Sequence, residues 1–489
     1  MRPTTHLPAR LLLLAVCFAV ALPSPARAEA PRPNILFLMA DDQAPWAMHC
    51  AGDPHAFTPN MDRLAKGGAR FTNAFTPTPV CSPSRASLMT GRYGSELGIT
   101  DWIHPQNDKG LGLDARFPTW PQLLAGSGYQ TGLIGKWHLG DLPDQHPTKR
   151  GYQSFMGFLG GGTPPQNPVL EKDGVTAKRE GYIVDLVTEE ALEWIQKRDQ
   201  SKPFALSVHF REPHASYLPV REEDWNRVKD LDIQPPQPMY PGTDEAKVKK
   251  LTREYLASVA AIDRNLGRIL DLLDTLRLTE NTLVVYTSDH GYNMGHHGIW
   301  HKGNGHWILL PEALPTPTQN IPKGQRPNMF DTSLKVPMLV RWPGRIPAGS
   351  ENRHVISHLD WLPTLSELGG ATLPKEAVLR GKSIVPLLAN PAEPARPADF
   401  YAEYSTKHQS RTHMRVYRTA DWKLVRDLLN PGRDELFHLR ADPGEHTNLI
   451  GSDEPAALEA KASLRKAITS KMQELNDPLL AGADVAILP

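Results

Sequence analysis

Short, almost uninterrupted apolar runs recur along the chain and are separated by longer segments with helical periodicity. Five of these runs predict strands, at residues 34–39, 131–134, 204–210, 282–287 and 338–342. Strands that are apolar at nearly every position suit a sheet that is buried on both faces, as parallel sheets covered by helices are. The sequence therefore predicts an α/β fold with a large mixed, mostly parallel sheet flanked by helices.

The clearest helix is predicted at residues 253–276, where apolar side chains recur every three or four residues along one face. Weaker helical patterns cover residues 185–198 and 454–474. Segments of this length can cover a sheet face and connect parallel strands.

Proline becomes frequent between residues 373 and 396, which predicts a domain boundary there. Beyond it, short strand-like runs at residues 401–404 and within 414–426 are separated by polar turns, a pattern typical of an antiparallel sheet. We therefore predict a main domain at residues 29–385. A smaller C-terminal α+β subdomain with a terminal helix would occupy residues 386–489.

The N-terminus has the three-part pattern of a secretory signal peptide. Basic residues precede an apolar run at residues 11–22, and Ala-Arg-Ala at residues 26–28 supplies small residues at the cleavage spacing. We predict that residues 1–28 are a signal peptide and that the protein is periplasmic or secreted.

Charge and composition argue against two classes of partner. Lys+Arg and Asp+Glu both total 54, so the chain has no net charge with which to attract nucleic acid or an anionic membrane. Past the signal peptide, no segment approaches the ~20 consecutive apolar residues that a membrane span requires. Of the three cysteines, Cys17 leaves with the signal peptide, and Cys50 and Cys81 either form one disulfide or stay free.

Charged and imidazole side chains follow four of the predicted strands. In chain order, these groups are Asp41 and Asp42, Lys136 and His138, His214, and Asp289 and His290. Ligands of open α/β sheets bind outside the carboxyl ends of the strands. The sequence therefore predicts a functional site at this edge of the sheet.

The aspartates at these strand ends offer hard oxygen ligands, which suit Ca²⁺ or Mg²⁺ better than zinc. Their carboxylates would repel one another in a shared pocket, and a bound cation would relieve that repulsion. A histidine-rich stretch at residues 290–306 leaves zinc open as an alternative. We interpret His296 and His306 as ordinary loop histidines, because neither lies in a helical zinc motif.

The most specific motif is CSPSRASLMTGR at residues 81–92. Four further blocks accompany it in order, namely PNILFLMADD at 33–42, GKWHLG at 135–140, TSDHG at 287–291 and VPMLVRWPG at 336–344. Together they resemble the type I sulfatases, in which a C-x-P-S-R signature directs oxidation of the cysteine to formylglycine. The resemblance implies an alkaline-phosphatase-like fold and a sulfuric ester hydrolase that a formylglycine-generating maturation enzyme activates.

The resemblance also implies a role for each matching position. The implied ligands of a single Ca²⁺ are Asp41, Asp42, Asp289, His290 and the oxidised residue 81. The implied catalytic groups are the nucleophile at Cys81, Arg85 that holds it, Lys136, His138 and Lys302 that neutralise the sulfate, and His214 as general acid. Such clustered positive charge in a dry pocket would stabilise the charge that builds on the leaving oxygen.

Two other functions stay open at this stage. A phosphonate monoester or phosphodiester hydrolase could use the same architecture, because sulfate and phosphate esters are both tetrahedral. A non-catalytic protein that binds sulfated glycans would keep the pocket and leave Cys81 unmodified. For a sulfatase, the insert at residues 303–329 is predicted to rim the pocket, and export suits a sulfated carbohydrate substrate.

Overall fold

A ten-stranded sheet forms the centre of the computed structural model, which describes residues 32–393 and 396–482. The strands are β1 (Asn34–Ala40), β2 (Ala69–Phe75), β3 (Gln130–Lys136), β4 (Ser154–Phe158), β5 (Val169–Lys172), β6 (Val175–Lys178), β7 (Phe204–His209), β8 (Thr282–Ser288), β9 (Ile299–Trp300), β10 (His306–Trp307), β11 (Met338–Arg341), β12 (Ser350–Ser357), β13 (Phe400–Thr406), β14 (Thr412–Arg418), β15 (Trp422–Asp427) and β16 (Glu435–His438). The order in the large sheet is β12-β2-β11-β8-β1-β7-β3-β4-β5-β6.

The centre of the large sheet is parallel and its edges are mixed. Strands β8, β1, β7, β3 and β4 run parallel to one another, whereas β11 is antiparallel to both β8 and β2. At one edge β4, β5 and β6 pair antiparallel. The predicted mixed, mostly parallel sheet is therefore confirmed, and all five predicted strands are present with ends that differ by a few residues.

Helices cover both faces of this sheet. The α-helices of the described residues are α1 (Pro59–Gly67), α2 (Cys81–Thr90), α3 (Gly94–Leu97), α4 (Trp120–Gly126), α5 (Ile183–Lys197), α6 (Glu222–Trp225), α7 (Glu245–Thr275), α8 (Asp331–Leu334), α9 (Trp361–Leu368), α10 (Val385–Ala389) and α11 (Pro455–Leu475). Residues Leu36 and Leu38 of β1 belong to a core formed with α1, α5 and α7, whereas Ile35 and Phe37 belong to a core formed with α2, α4 and α9. Burial on both faces explains why β1 is apolar at every position after Asn34.

A separate four-stranded antiparallel sheet, β13-β14-β15-β16, packs against α11 and confirms the predicted C-terminal sheet and terminal helix. Lys423 on β15 is fully buried, donates to Asp331 Oδ1 at 2.8 Å and forms an ion pair of 2.6 Å with Glu445. The backbone N–H of Asp331, the first residue of α8, donates to Glu445 Oε2 at 2.6 Å. This network joins the small sheet to the main body, and the boundary between residues 385 and 386 stays a prediction.

The predicted signal peptide at residues 1–28 lies outside the described residues. Within the part of the chain that the structure describes, none of the helices is both long enough and apolar enough to cross a membrane.

Candidate active site

The four strands that carry polar side chains lie side by side, in the order β8-β1-β7-β3, and end at the same level. Ala40 pairs with Ser288, and His209 pairs with both Met39 and Gly135. A side chain at position 135 would place its Cβ 1.9 Å from the His209 carbonyl oxygen, so glycine is required there. This alignment brings Asp41, Asp289 and Lys136 together at the carboxyl ends of the central strands, where the sequence predicted a functional site.

Asp289 lies at the centre of the polar cluster. Its Oδ1 accepts hydrogen bonds from the backbone N–H groups of Asp42 at 3.1 Å and His290 at 3.0 Å, and its Oδ2 accepts from Arg85 Nε at 2.9 Å. Its backbone carbonyl accepts from the hydroxyl of Ser84. Asp289 therefore ties the end of β8 to both β1 and α2.

Asp41 and Asp42 each form an ion pair with a buried lysine. Lys136 Nζ lies 2.6 Å from Asp41 Oδ2, and Lys302 Nζ lies 2.6 Å from Asp42 Oδ1. Asp42 adopts a left-handed backbone conformation with φ of 75°, which is strained for a residue with a side chain. The hydroxyl of Tyr255 donates to the Asp42 carbonyl at 2.8 Å and helps to hold this conformation.

Cys81 is the first residue of α2 and lies between the carboxylates and the basic side chains. Lys302 Nζ donates to its sulfur at 3.1 Å, His290 Nε2 lies 3.5 Å from it, and Asp41 Oδ1 lies 3.7 Å from it. Only 3% of the residue is exposed. A helix N-terminus stabilises negative charge, so the backbone also favours an anion at this position.

Charge in the cluster is balanced by the chain itself. Burial would raise the pKa of Asp41 and Asp42, but Lys136 and Lys302 outweigh it and hold both pKa values below the usual range. Burial disfavours a charged imidazole, but the nearby carboxylates, Asp289 first, raise the pKa of His290 to about 10. Lys136, Lys302 and Arg85 each form an ion pair with one of the three aspartates. Repulsion between the carboxylates alone therefore does not require a metal ion.

The donor set nevertheless fits a hard cation. The Oδ2 atom of Asp42 is buried and has no hydrogen-bond partner among the described residues, a costly state for a carboxylate oxygen. Potential ligand atoms of Asp41, Cys81, Asp289 and His290 all lie within 4.8 Å of one another. The implied ligands Asp41, Asp42 and Asp289 offer carboxylate oxygens, which Ca²⁺ prefers, and the identity of the ion stays a prediction.

The two remaining implied catalytic residues, His214 and His138, flank the cluster. A ring nitrogen of His214 lies within 4.8 Å of the thiol and of the Asp41 and Asp42 carboxylates. Its Nδ1 donates to the Ala215 carbonyl at 2.7 Å, and burial outweighs the carboxylates and lowers its pKa to about 4. His138 Nε2 donates to the Ile103 carbonyl at 3.1 Å, and burial lowers its pKa well below the usual range. The implied role of His138, neutralisation of the sulfate together with Lys136 and Lys302, stays a prediction.

The loop histidines make ordinary contacts. His296 bonds the Asn293 carbonyl, His301 bonds Asn304, His306 bonds Gln325, and His297 stacks on Phe330. In the described chain, two groups of side chains are close enough together to hold a metal ion. Their histidines are His214 and His290, and neither group includes one of these loop histidines.

Both cysteines of the described chain are free, so the alternative of a bridge between Cys50 and Cys81 is wrong.

The insert at 303–329 runs from Lys302 to the small sheet. Its Gly303 N–H donates to the Pro79 carbonyl at 3.0 Å, and the guanidinium of Arg326 bonds the Glu435 carboxylate. The insert is therefore anchored at the edge of the site and on the C-terminal sheet.

Sequence reasoning did not identify the residues that support the site. Besides Tyr255, His358 bonds the Ser84 hydroxyl through Nδ1 at 3.1 Å, and His209 bonds the Lys136 carbonyl through Nδ1 at 3.1 Å. Both histidines are buried, and burial lowers the pKa of each to about 3. Position at a strand end was a usable signal for His209, the last residue of β7.

Comparison with known proteins decides the family. A family model described as "Sulfatase" matches residues 33–371, which is most of the chain. The chain belongs to the sulfatase family. A second model, described as "N-sulphoglucosamine sulphohydrolase, C-terminal", matches residues 325–475 of this sulfatase and includes the whole small sheet. The predicted activity class, sulfuric ester hydrolase, is therefore confirmed.

Relatives of the sulfatase cover nearly its full length. It is 28% identical to an N-acetylglucosamine-6-O-sulfatase of Bacteroides thetaiotaomicron, over 96% of this chain and 92% of that protein. It is 27% identical to the human N-acetylgalactosamine-6-sulfatase, over 92% and 87%. A solved structure in complex with its substrate D-glucosamine-2-N,6-O-disulfate superposes with a TM-score of 0.77 and 25% identity, over 91% of this chain and 99% of that one.

Proposed function

We propose that this sulfatase hydrolyses O-sulfate esters of carbohydrates, and that a 6-O-sulfated amino sugar is its substrate. The two relatives compared above are named for 6-sulfated amino sugars, and the superposed structure contains one. The observation that carries the proposal is the position of Cys81, whose sulfur contacts Lys302, His290 and Asp41 inside a cluster with three acidic and three basic side chains.

The proposed nucleophile is residue 81 after oxidation of its thiol to formylglycine by a maturation enzyme. In its hydrated form this group supplies one hydroxyl to attack sulfur and a second to expel sulfate. The surroundings favour oxygen at this position, because thiolates prefer soft metals whereas the neighbouring ligands are carboxylates. The CSPSR signature at residues 81–85 supports the same proposal.

We propose that Asp41, Asp42, Asp289 and His290 hold a single Ca²⁺ together with residue 81. When bound, the ion would polarise sulfate oxygens and favour the deprotonated nucleophile. The unpaired Asp42 Oδ2 and the closeness of the ligand atoms support this assignment.

The chain's own residues account for the rest of the reaction. Lys302 and Lys136 would bind the sulfate oxygens of the ester. Their ion pairs with Asp42 and Asp41 would weaken as they do so. Arg85 is fixed by Asp289 and adds positive charge behind the nucleophile. A sulfate ester brings negative charge toward His214, which favours the protonated imidazole, and His214 would then donate its proton to the leaving oxygen. Burial of the cluster excludes water and strengthens each of these interactions.

We further propose that the protein is exported through the signal peptide at residues 1–28. The basic start, apolar run and small-residue site support this proposal. Mass spectrometry of the protein from the producing cells should find a mature N-terminus close to residue 29. A cell-associated chain that begins at Met1 would contradict export.

The test of the activity is a comparison of esters with protein produced beside a formylglycine-generating enzyme. N-acetylglucosamine 6-sulfate, N-acetylgalactosamine 6-sulfate, 4-nitrophenyl sulfate and bis(4-nitrophenyl) phosphate are assayed together, with Cys81→Ala as the inactive control. We expect sulfate release from at least one amino sugar. Faster hydrolysis of the phosphodiester than of every sulfate ester would instead identify a phosphodiesterase.

A further inference from the structure

A half-buried loop segment is fastened to both sides of the catalytic centre. The backbone N–H of Ile103 donates to the hydroxyl of Ser82 at 3.0 Å, and its carbonyl accepts from His138 at 3.1 Å. Ser82 directly follows Cys81, and His138 lies two residues after Lys136. The side chains on either side of Ile103 therefore lie at the edge of the active site.

These neighbours form an aromatic group with a residue from the second sheet. The rings of Trp102 and His104 have centroids 4.8 Å apart, those of Trp102 and His408 4.9 Å, and those of His104 and His408 5.3 Å. His408 follows β13 and also pairs with Asp108 at 2.8 Å. We name Trp102, His104, Asp108 and His408 the rim cluster.

The rim cluster is held rigidly from beneath. Buried Asp101 accepts hydrogen bonds from the Trp102 N–H at 2.9 Å, the Tyr404 hydroxyl at 2.9 Å and the Lys407 N–H at 2.7 Å. Trp102 also packs against the buried hydrophobic cluster that contains Val80, the residue before Cys81. An indole fixed in this way loses little conformational entropy when a ligand packs against it.

The hydrogen bonds of the two histidines fix what each can offer a ligand. His104 Nδ1 accepts from the backbone N–H groups of Gln106 at 3.1 Å and Asn107 at 3.3 Å, so its proton is on Nε2. His408 Nε2 contacts the Asp108 carboxylate at 2.8 Å and the Trp102 carbonyl at 3.1 Å. Both partners are acceptors, so the N–H of His408 is on Nε2 and is already hydrogen-bonded within the protein. The half-buried indole thus has a hydrogen-bond donor on His104 beside it, and His408 Nδ1 supplies an acceptor.

We propose that the rim cluster is the subsite that binds the sugar ring, with the apolar face of a pyranose packed on Trp102 and its hydroxyls bonded to the two histidines. An aromatic surface beside a donor and an acceptor matches a pyranose, which has an apolar C–H face and hydroxyls at its edge. This inference rests on the proposed function and adds to it the residues that select a sugar over a simple sulfate ester.

The test compares two primary alkyl sulfates that differ in the ring. The measured quantity is the kcat/KM for N-acetylglucosamine 6-sulfate divided by that for 2-hydroxyethyl sulfate, in the full-length, formylglycine-containing enzyme. Trp102→Leu should lower this ratio about tenfold, the factor that corresponds to one well-packed aromatic contact. Trp102→Phe, which keeps an aromatic face, should restore most of it.

Trp342→Leu is the matched control. Trp342 is also half-buried. It follows β11, which runs antiparallel to β8, and therefore lies near the start of β8, at the end of the strands opposite to the site. It should leave the ratio unchanged.

A second measurement guards against misfolding of the Trp102 variants. Free N-acetylglucosamine should compete with 2-hydroxyethyl sulfate in the wild type, and less well in His104→Leu, whose released N–H groups are exposed to solvent.

Equal ratios in Trp102→Leu and Trp342→Leu, or no competition by N-acetylglucosamine in the wild type, would overturn the subsite while leaving a carbohydrate sulfatase. A wild type that hydrolyses 2-hydroxyethyl sulfate but neither 6-sulfated amino sugar would overturn the proposed substrate, and the subsite with it.

Discussion

Tyr255→Phe tests whether the strained backbone at Asp42 is held by a single hydroxyl. The Tyr255 hydroxyl donates to the Asp42 carbonyl at 2.8 Å and accepts from the Ala44 N–H at 2.8 Å, and the ring is fully buried. The variant keeps the ring and its packing on Tyr292 but leaves one carbonyl and one N–H unpaired. Each unpaired buried group costs about 1–3 kcal/mol, so we expect the free energy of unfolding to fall by about 2–6 kcal/mol.

The measurement is urea unfolding of the wild type and the variant at equal protein concentration, with the shift read from midpoints at an unchanged slope. Repeating it in chelator and in excess Ca²⁺ separates two effects. If the hydroxyl also shapes the metal site, the deficit should be larger with Ca²⁺, because weaker binding adds less stability.

Tyr152→Phe is the control for loss of a buried tyrosine hydroxyl. Tyr152 is equally buried, but among the described residues its hydroxyl contacts only the Ser207 side chain, at 2.9 Å, and the Met89 sulfur, so a loss of about 1 kcal/mol is expected. A Tyr255→Phe variant no less stable than Tyr152→Phe, with unchanged Ca²⁺ response, would refute the reasoning.

Further predictions concern the chemistry. Removal of Ca²⁺ with a chelator should abolish turnover, Ca²⁺ should restore it better than Zn²⁺, and Asp41→Ala should weaken metal binding measured by calorimetry; full activity in metal-free protein would contradict this. Cys81→Ser should release at most one equivalent of alcohol and keep a sulfated peptide at position 81 by mass spectrometry, because serine has no second hydroxyl to expel sulfate; sustained turnover without the adduct would exclude the hydrate mechanism. His214→Gln should slow alkyl sulfates far more than 4-nitrophenyl sulfate, whose leaving group needs little protonation, and equal losses would remove His214 as general acid.

The central strands and the polar residues at their ends could be predicted because both depend on local sequence. Strand β1 is apolar at six consecutive positions, and Asp41 follows it directly. Strands β5 and β6 were missed because they carry charged residues and are partly exposed, so they lack the pattern of a buried strand. The start of α7 was placed eight residues late, because its first turns are rich in lysine and only the later turns have a continuous apolar face.

Contacts between distant segments could not be read from the sequence. Tyr255 lies 213 residues from Asp42, and His358 lies 274 residues from Ser84. The balance of the aspartates by Lys136 and Lys302 depends on the same kind of long-range packing. Motif resemblance located these lysines, but only the three-dimensional arrangement shows that they neutralise the carboxylates.

The buried Lys423 links the small sheet to the loop that carries the predicted metal ligands. Its partner Asp331 begins α8, and the backbone carbonyl of Ser333 in α8 accepts a hydrogen bond of 2.9 Å from Gly291, next to His290. A chain cut at the predicted boundary after residue 385 would remove Arg418, Lys423 and Glu445 from Asp331 and leave it only the ion pair with Lys335 among the partners described, so the start of α8 would lose most of its anchoring contacts. We therefore expect shortened or chimeric versions of this enzyme to need the C-terminal sheet to keep residues 289 and 290 in place.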